Sequence, residues 1–494
     1  MIRSRLTSTQ WLWLLIALVA LARLALLGSL PLTDTTEARY AEIARKMVVL
    51  NDWVTPWFDN GIPFWGKPPL SFWLTAGSFK LLGISEFAAR LPHWICMAIA
   101  ACLTWSTAAK RSRSEALLAI AIAAGSLLFF VASGAVMTDA AFVLGTTLSM
   151  RGFWLGLHGA KPLRRREGLL FFVGLTISLM AKGPVGIVLI ALAVGTWTLA
   201  SASLRRVWTS LPWGYGVVLC ALLVLPWYAA AELRTPGFLE YFLVGEHWYR
   251  FTVPGWRGDK YGSAHSFMRG SIWLFALFAV LPWPLLLPFA GKQVLPAASL
   301  DNGEPDRHHW RLYLWAWSLA PLVFFTAARN ILWTYVLPAL PAMAMLGAAW
   351  LSERQSQRRA HASVAAGLVA TLALAAAALW RLPPLDQIDS KSTKDLIAFF
   401  QKARAPGEDL VFVGVLPYSA SFYSQGEAKQ VDCAAQLFMR TSLISAMAAV
   451  HENGVPMLEK SAPQAVRLVQ YGDYVLFRIP RQDPAGAAVK PCAN

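Results

Sequence analysis

The stretch WLWLLIALVALARLALLGSL, Trp11 to Leu30, holds a single charge, Arg23. At ~1.5 Å per residue it is long enough to cross ~30 Å of hydrocarbon. Leu211 to Ala231 and Ala362 to Trp380 read the same way. The 494-residue chain around them is 56% hydrophobic, with 23 Trp, 26 Phe and only 15% charged residues. A soluble protein of this size has too little polar surface to cover so much apolar area, so that class is excluded. The first run is too long for a signal-peptide core and lacks a convincing small-residue cleavage site, so it reads as a retained helix.

The formal charge of +16 would point to nucleic acid in a soluble protein. Here the basic residues gather in short clusters between apolar runs: Arg3/Arg5, Lys110-Arg111-Arg113, Lys161 with Arg164-Arg165-Arg166, Arg205-Arg206, and Arg354 with Arg358-Arg359. That is the positive-inside pattern, which orients a membrane protein and calls for no nucleic acid. With each cluster placed in the cytoplasm, about eleven spans follow. They lie near 11–31, 91–109, 115–134, 139–158, 168–181, 184–202, 211–231, 269–290, 311–328, 331–351 and 362–380. Two long outer loops result, about 32–89 and 232–268. The reading is an all-α polytopic membrane domain over 1–381 and a second domain, 382–494, on the outer side.

The tail changes character. A polar amphipathic segment from Thr393 to Arg404 precedes the β-rich run Asp409-Leu-Val-Phe-Val-Gly-Val415, and a later helix-like stretch precedes Tyr474-Val-Leu-Phe-Arg-Ile479. This alternation predicts a small α/β domain. Cys96, Cys102 and Cys220 fall inside spans, where a thiol packs as a small hydrophobe. Cys433 and Cys492 fall in the tail, in an oxidising compartment, where a disulfide and two free thiols are about equally expected.

The outer face collects the unusual polar residues. The first loop reads Thr33-Asp34-Thr35-Thr36-Glu37-Ala38-Arg39-Tyr40-Ala41-Glu42-Ile43 and continues to Gly66-Lys67-Pro68-Pro69. Asp139 opens the fourth span, and Lys182-Gly183-Pro184 forms an outer turn. Glu246-His247-Trp248-Tyr249-Arg250 lies in the second loop, with Arg329 and Tyr335 at the last outer turn. Taken singly, each has a plain explanation: cations at span ends snorkel, and Asp139 after Thr138 suits a helix cap. Their convergence on one face favours a site for a phosphate carried on a lipid. The first loop is amphipathic from Ala41 to Met47 and carries Phe64-Trp65 and Phe72-Trp73. It reads as lying on the membrane, with the aromatics favoured as belt anchors over sugar platforms.

Asp34 with Glu37-Ala-Arg39-Tyr40-Ala-Glu42-Ile, Lys67-Pro68-Pro69, Asp139, Lys182-Gly183-Pro184, Glu246-His247 and Thr334-Tyr335-Val-Leu-Pro338 occur in an order that resembles the GT-C family of dolichyl- and polyprenyl-phosphate-sugar transferases. The resemblance takes in the family's aminoarabinose–lipid A and protein O-mannosyl branches and covers about residues 10 to 350. It implies that Asp34 and Asp139 are catalytic carboxylates. Arg39, Lys67 and Lys182 would hold the donor phosphate. Glu37, Glu246, His247, Arg329 and Tyr335 would line the donor or acceptor cavity. Three positions depart from the family pattern. Thr36 replaces an acid three residues before Arg39, Gly66 replaces a Glu before Lys67, and Ile331 replaces a Lys before the Tyr335 motif.

The implied reaction is an inverting transfer from a polyprenyl (undecaprenyl) phosphate sugar to lipid A or another glycolipid or glycan. It would run at the periplasmic face of a bacterial inner membrane. Cations stabilise the departing phosphate, and Asp34 is the first choice of general base for a hydroxyl acceptor. No cofactor is required. A divalent metal is admissible, with Asp34, Glu246 and His247 as its ligands, and no His/Cys cluster has zinc spacing. A transporter or flippase of lipid-linked sugars would share the spans and cations but does not explain the long acidic first loop. A structural assembly protein would explain only the tail. The topology is checked by reporter fusions: those after residue 400 and within 232–268 report an outer location, and those at Arg164 a cytoplasmic one.

Overall fold

The computed structural model describes residues 6–159, 163–262, 265–286, 305–380, 391–433, 436–437 and 445–480. Its helices open with α1 (Ser8–Ser29) and α2 (Thr36–Val49), followed by a two-stranded antiparallel hairpin, β1 (Trp57–Asp59) and β2 (Ile62–Pro63). Then come α3 (Leu70–Leu82), α4 (Glu86–Ala108), α5 (Arg113–Gly125), α6 (Leu127–Ala132), α7 (Asp139–His158), α8 (Leu163–Lys182), α9 (Val185–Ala200), α10 (Leu204–Ser210), α11 (Trp213–Arg234) and α12 (Phe238–Glu240). A π-helix (Tyr241–Tyr249) leads to α13 (Arg250–Thr252), α14 (Ser271–Ala279), α15 (Trp283–Leu286) and α16 (Pro305–Thr326). A 3-10 segment (Trp333–Ala339), α17 (Leu340–Arg354) and α18 (Gln357–Leu379) complete the helical part.

Helical structure occupies every segment read as a span. Among the described residues, six helices are long and apolar enough to cross a membrane: α1, α4, α7, α11, Trp333–Arg354 and α18. α11 leaves Leu222 and Leu225 at the surface, as a helix facing lipid does. The span read at 115–134 is broken at Ser126, where the Leu127 amide leaves the helix ladder and donates to Leu281 O at 2.8 Å. A broken helix is tolerated at membrane depth when a neighbour satisfies the freed backbone in this way.

The tail contains α19 (Lys394–Ala403), β3 (Asp409–Val413), α20 (Tyr418–Tyr423), β4 (Lys429–Val431), β5 (Ala446–His451), α21 (Val455–Ser461), β6 (Val466–Tyr471) and β7 (Tyr474–Ile479). The sheet order is β4-β3-β5-β7-β6. β4, β3 and β5 run parallel, and β7 pairs antiparallel with both β5 and β6. The predicted α/β domain is therefore present with a five-stranded mixed sheet. Cys433 is disulfide-bonded while Cys96, Cys102 and Cys220 are free. Cys492, its expected partner, lies outside the described residues.

The first loop corrects one expectation. Phe64 and Phe72 are buried among Tyr40, Met47, Phe79 and Phe422 and do not face lipid as anchors. The reason is the tail: α20 packs onto α2 and supplies Phe422 to this apolar cluster, giving the loop aromatics a protein environment.

One ion pair fastens this loop to the helices. Arg90, on α4, uses all five of its N–H groups. Nη1 donates to Leu27 O and Leu30 O, and Nη2 to Pro31 O, capturing carbonyls that the end of α1 leaves open. Nε and Nη2 then grip both oxygens of Glu37 at 2.8 and 2.7 Å. Glu37 also accepts from the amides of Thr33 and Val136. Burial pushes the Glu37 carboxyl up, but Arg90 beside it outweighs burial and holds it below its ordinary 4.5. A carboxylate depressed in this way adds stability above its unfolded value that is lost as pH falls through the folded one. Removing it strands a buried guanidinium, so Glu37→Ala is expected to cost ~3–5 kcal/mol. Thermal unfolding in detergent checks both statements. Wild type loses stability on acidification below 4.5, and Glu37→Gln is already destabilised and loses less than wild type in that window.

Candidate active site

Small residues bring the first pair of site residues together. α7 and α8 are antiparallel neighbours whose backbones nearly touch: a Cβ on Gly152 would stand 2.4 Å from Phe171 N, and one on Gly174 2.4 Å from Ser149 N. Close approach through small residues is how membrane helices gain packing without a hydrophobic drive. In this seam the N-terminus of α7 meets the C-terminus of α8, and Lys182 Nζ donates to Asp139 Oδ1 at 2.6 Å. Each charge also stands at the helix end whose dipole favours it. The capping reading of Asp139 fails: Asp139 is the first residue inside α7, and Thr138, at the cap position, makes no side-chain cap bond. Asp139 is engaged with Lys182 instead.

The second cluster is built on the π-helix. Glu246 Oε2 accepts from Lys67 Nζ at 3.0 Å, and both Glu246 oxygens accept from Arg250 Nη1 at 3.1 Å. π-helical winding brings residues five apart into register, so Tyr241 Oη donates to Glu246 Oε1 at 3.3 Å. Arg250 also pairs with Asp259 at 3.3 Å. Burial pushes the Glu246 carboxyl up, but Lys67 and Arg250 hold it below the usual range. Burial keeps the His247 imidazole below its ordinary value. Its Nδ1 lies 2.7 Å from Phe242 O. His247 Nε2 faces Lys182 O at 3.2 Å and so joins the second cluster to the first.

The last outer turn closes this arrangement. Lys182 Nζ stands 5.0 Å from the Tyr335 ring centroid, and that ring packs on Phe325. Tyr335 lies within electrostatic reach of Lys67, Arg250, Asp139 and Glu246. Asn330 Nδ2 donates to Arg250 O and Val253 O, pinning the end of the π-helix. The buried Nε atoms of Arg250 and Arg329 have no hydrogen-bond partner. Free guanidinium donors of this kind suit an anion.

Asp139, Lys182, Lys67, Glu246, His247 and Tyr335 are thus brought together, with Arg329 in the adjoining turn. Three expected members stand apart. Asp34 accepts from Ser419 N at 3.1 Å and from Ser419 Oγ, in the tail helix α20. Burial pushes its carboxyl above the ordinary value, and the Ser419 and Tyr418 bonds draw it partly back. Arg39 is boxed by Tyr40, Phe64 and Tyr418, with Nη1 donating to Tyr261 O. Glu37 is spent on Arg90. The trio Asp34, Glu246 and His247 is not gathered, and no group of three His, Cys, Asp or Glu side chains among the described residues is placed to hold a metal ion. Arg250 was missed as a site residue. Its i,i+4 spacing from Glu246 was the available signal.

Residues 32–242 match the family described as PMT, dolichyl-phosphate-mannose-protein mannosyltransferase. The undecaprenyl phosphate-alpha-4-amino-4-deoxy-L-arabinose arabinosyl transferase of Aeromonas salmonicida is 31% identical over 347 residues, 68% of this chain and 59% of that protein. Its counterpart from Erwinia tasmaniensis is 28% identical over 350 residues, 68% of this chain and 60% of that protein. The chain thus spans about three fifths of the length of these curated relatives. The crystal structure of ArnT from Cupriavidus metallidurans bound to undecaprenyl phosphate shares the fold. Its TM-score is 0.79 at 20% identity, covering 96% of this chain and 98% of that one.

The turn between α8 and α9 gives a prediction. Gly183 has φ +78°, and a Cβ there would stand 2.5 Å from Phe242 Cζ and 3.3 Å from His247 Cε1. Gly183→Ala combines a strained backbone with overpacking, so a loss of ~1–3 kcal/mol is expected. Thermal unfolding reads the loss. Displacement of His247 is read by its NMR titration, which should move toward the free-imidazole value.

Proposed function

We propose that the chain is a GT-C-type glycosyltransferase, similar to the PMT family and sharing the ArnT fold, that moves a sugar from undecaprenyl phosphate to an acceptor at the outer face of a bacterial inner membrane. Lipid A is the proposed acceptor, after the relatives' aminoarabinose chemistry. The observation that carries this reading is the joined network Lys67–Glu246–Arg250 and Asp139–Lys182, with unfilled guanidinium donors beside it.

In the proposed step an acceptor oxygen attacks the anomeric carbon while the bond from that carbon to the carrier phosphate oxygen breaks. The phosphate leaves with the electron pair, and single displacement inverts the anomeric centre. The protein's task is to hold the phosphate and meet the charge that develops on it. Lys67, Lys182 and Arg250 are already oriented by their carboxylates, so little reorganisation accompanies binding. A lipid A phosphate acceptor is already an anion and needs no base. For a hydroxyl acceptor, Asp139 and Glu246 are the carboxylates that stand among the cations, Asp139 with the single partner Lys182.

Purified protein tests the reading with undecaprenyl phosphate-alpha-4-amino-4-deoxy-L-arabinose as donor and lipid A as acceptor, products being followed by mass spectrometry. Lys67→Ala and Arg250→Ala are each expected to weaken undecaprenyl phosphate binding by ~10–100-fold, as loss of a charge-assisted bond does. Lys182→Arg should keep more activity than Lys182→Ala. Transbilayer movement of the donor without a glycosylated product would overturn the transferase reading in favour of transport.

A further inference from the structure

Asp34, although it opens the acidic first-loop motif, is turned toward the tail. Its two oxygens take the Ser419 amide and hydroxyl, and its own amide donates to Lys391 O at 2.9 Å. Neighbouring contacts repeat the pattern. Leu32 N donates to Tyr423 Oη at 2.7 Å, and Tyr423 Oη donates to Glu86 Oε1 at 3.1 Å. Lys394 Nζ pairs with the same Glu86 oxygen at 2.6 Å. Tyr418 faces both Phe58 of the β1 strand and the Arg39 guanidinium. Every one of these bonds joins α19 or α20, or the turn before them, to the segments around α2 and the start of α4.

We propose that Asp34 and Ser419 form a latch through which the tail domain fixes the first loop, making both positioning residues for the transfer and neither the general base. The argument is one of occupancy. Ser419 is fully buried, and its hydroxyl stands between the Asp34 carboxylate and Thr393, whose amide donates to it at 3.1 Å, so it has no solvent partner and ties the start of α19 into the same latch. An acceptor hydroxyl would have to displace Ser419, whose amide and hydroxyl take up both Asp34 oxygens, before it could reach this carboxylate. The position three residues before Arg39, where an acid would sit closest to the motif, is Thr36, an exposed residue. The latch instead sets the start of α2. From there Glu37 holds Val136, three residues before Asp139, and Arg39 holds Tyr261 of the second loop. Loosening the latch therefore shifts how the donor is held, with less effect on bond breaking itself.

This inference rests on the transferase reading for its kinetic arm only. The structural arm is amide hydrogen exchange on the full chain in detergent. Ser419→Ala and Asp34→Ala are each expected to speed exchange across Leu32–Tyr40, and the double variant should add little to either, as coupled partners do. The kinetic arm uses the same donor and lipid A. Ser419→Ala and Asp34→Ala should raise KM for the donor ~10-fold, the factor for one lost bond to a charged group, and leave kcat within about twofold. Asp34→Asn keeps an acceptor oxygen for Ser419 and should recover most of that loss. Unchanged exchange in Ser419→Ala overturns the latch, whatever the activity. A collapse of kcat in Asp34→Asn beside a near-normal Ser419→Ala overturns it too, by making Asp34 the base. Altered exchange with no transfer by wild type would keep the latch and count against the transferase reading.

Discussion

Glu37 and Arg90 meet where four pieces of chain must agree. Arg90 comes from the start of α4 and closes the end of α1, Glu37 comes from the first turn of α2, and the Val136 amide belongs to the turn that delivers Asp139. A buried pair of this kind is weak evidence for raw stability, because desolvation offsets much of the attraction. Its geometric content is larger. Both carboxylate oxygens and all five guanidinium N–H groups are committed, so a shift of any one segment strands a buried polar atom. The two loops can then be referred to a common frame, and the site inherits its precision from that frame.

The site itself is assembled by two devices of different kinds. The α7–α8 seam uses glycine and serine to let two backbones touch, and it sets Asp139 against Lys182 at the seam's end. The π-helix uses an altered winding to set Tyr241 on Glu246, the carboxylate that also takes Lys67 and Arg250. In both, a cation at the membrane boundary is paired before any substrate arrives, which removes the cost of leaving it bare in a low-dielectric setting. A lipid-linked phosphate would meet cations that are already aimed. His247, lying between Phe242 O and Lys182 O, makes the two devices one unit.

Much of this was legible beforehand. Apolar run length and basic clusters located the helical segments, because a bilayer demands about twenty apolar residues and internal satisfaction of the backbone. The same topology put Lys67, Asp139, Lys182, Glu246, His247 and Tyr335 on one face, and the structure joins them. Asp34 and Arg39 read as members of that group for the same reason, yet their partners are Ser419 and Tyr418, nearly 400 residues along the chain. Face-sorting by topology tells which side a residue is on and nothing about which of several neighbours it touches. Arg250 was overlooked for the converse reason. Its i,i+4 spacing from Glu246 was visible, but spacing alone does not show that the pair is buried beside Lys67.

Hydrophobicity and charge placement by themselves determined the membrane class, the helical segments and the set of residues from which a site could be made. These are properties of segments, fixed by transfer free energies that each segment carries wherever it lies. The tertiary structure alone decided which carboxylate faces which cation. It gave Glu246 to Lys67 and Arg250, Asp139 to Lys182, Glu37 to Arg90 and Asp34 to the tail. Such choices rest on contacts of a few ångströms between residues far apart in sequence, and their energies depend on burial and on every competing partner. No property of an isolated segment contains that information.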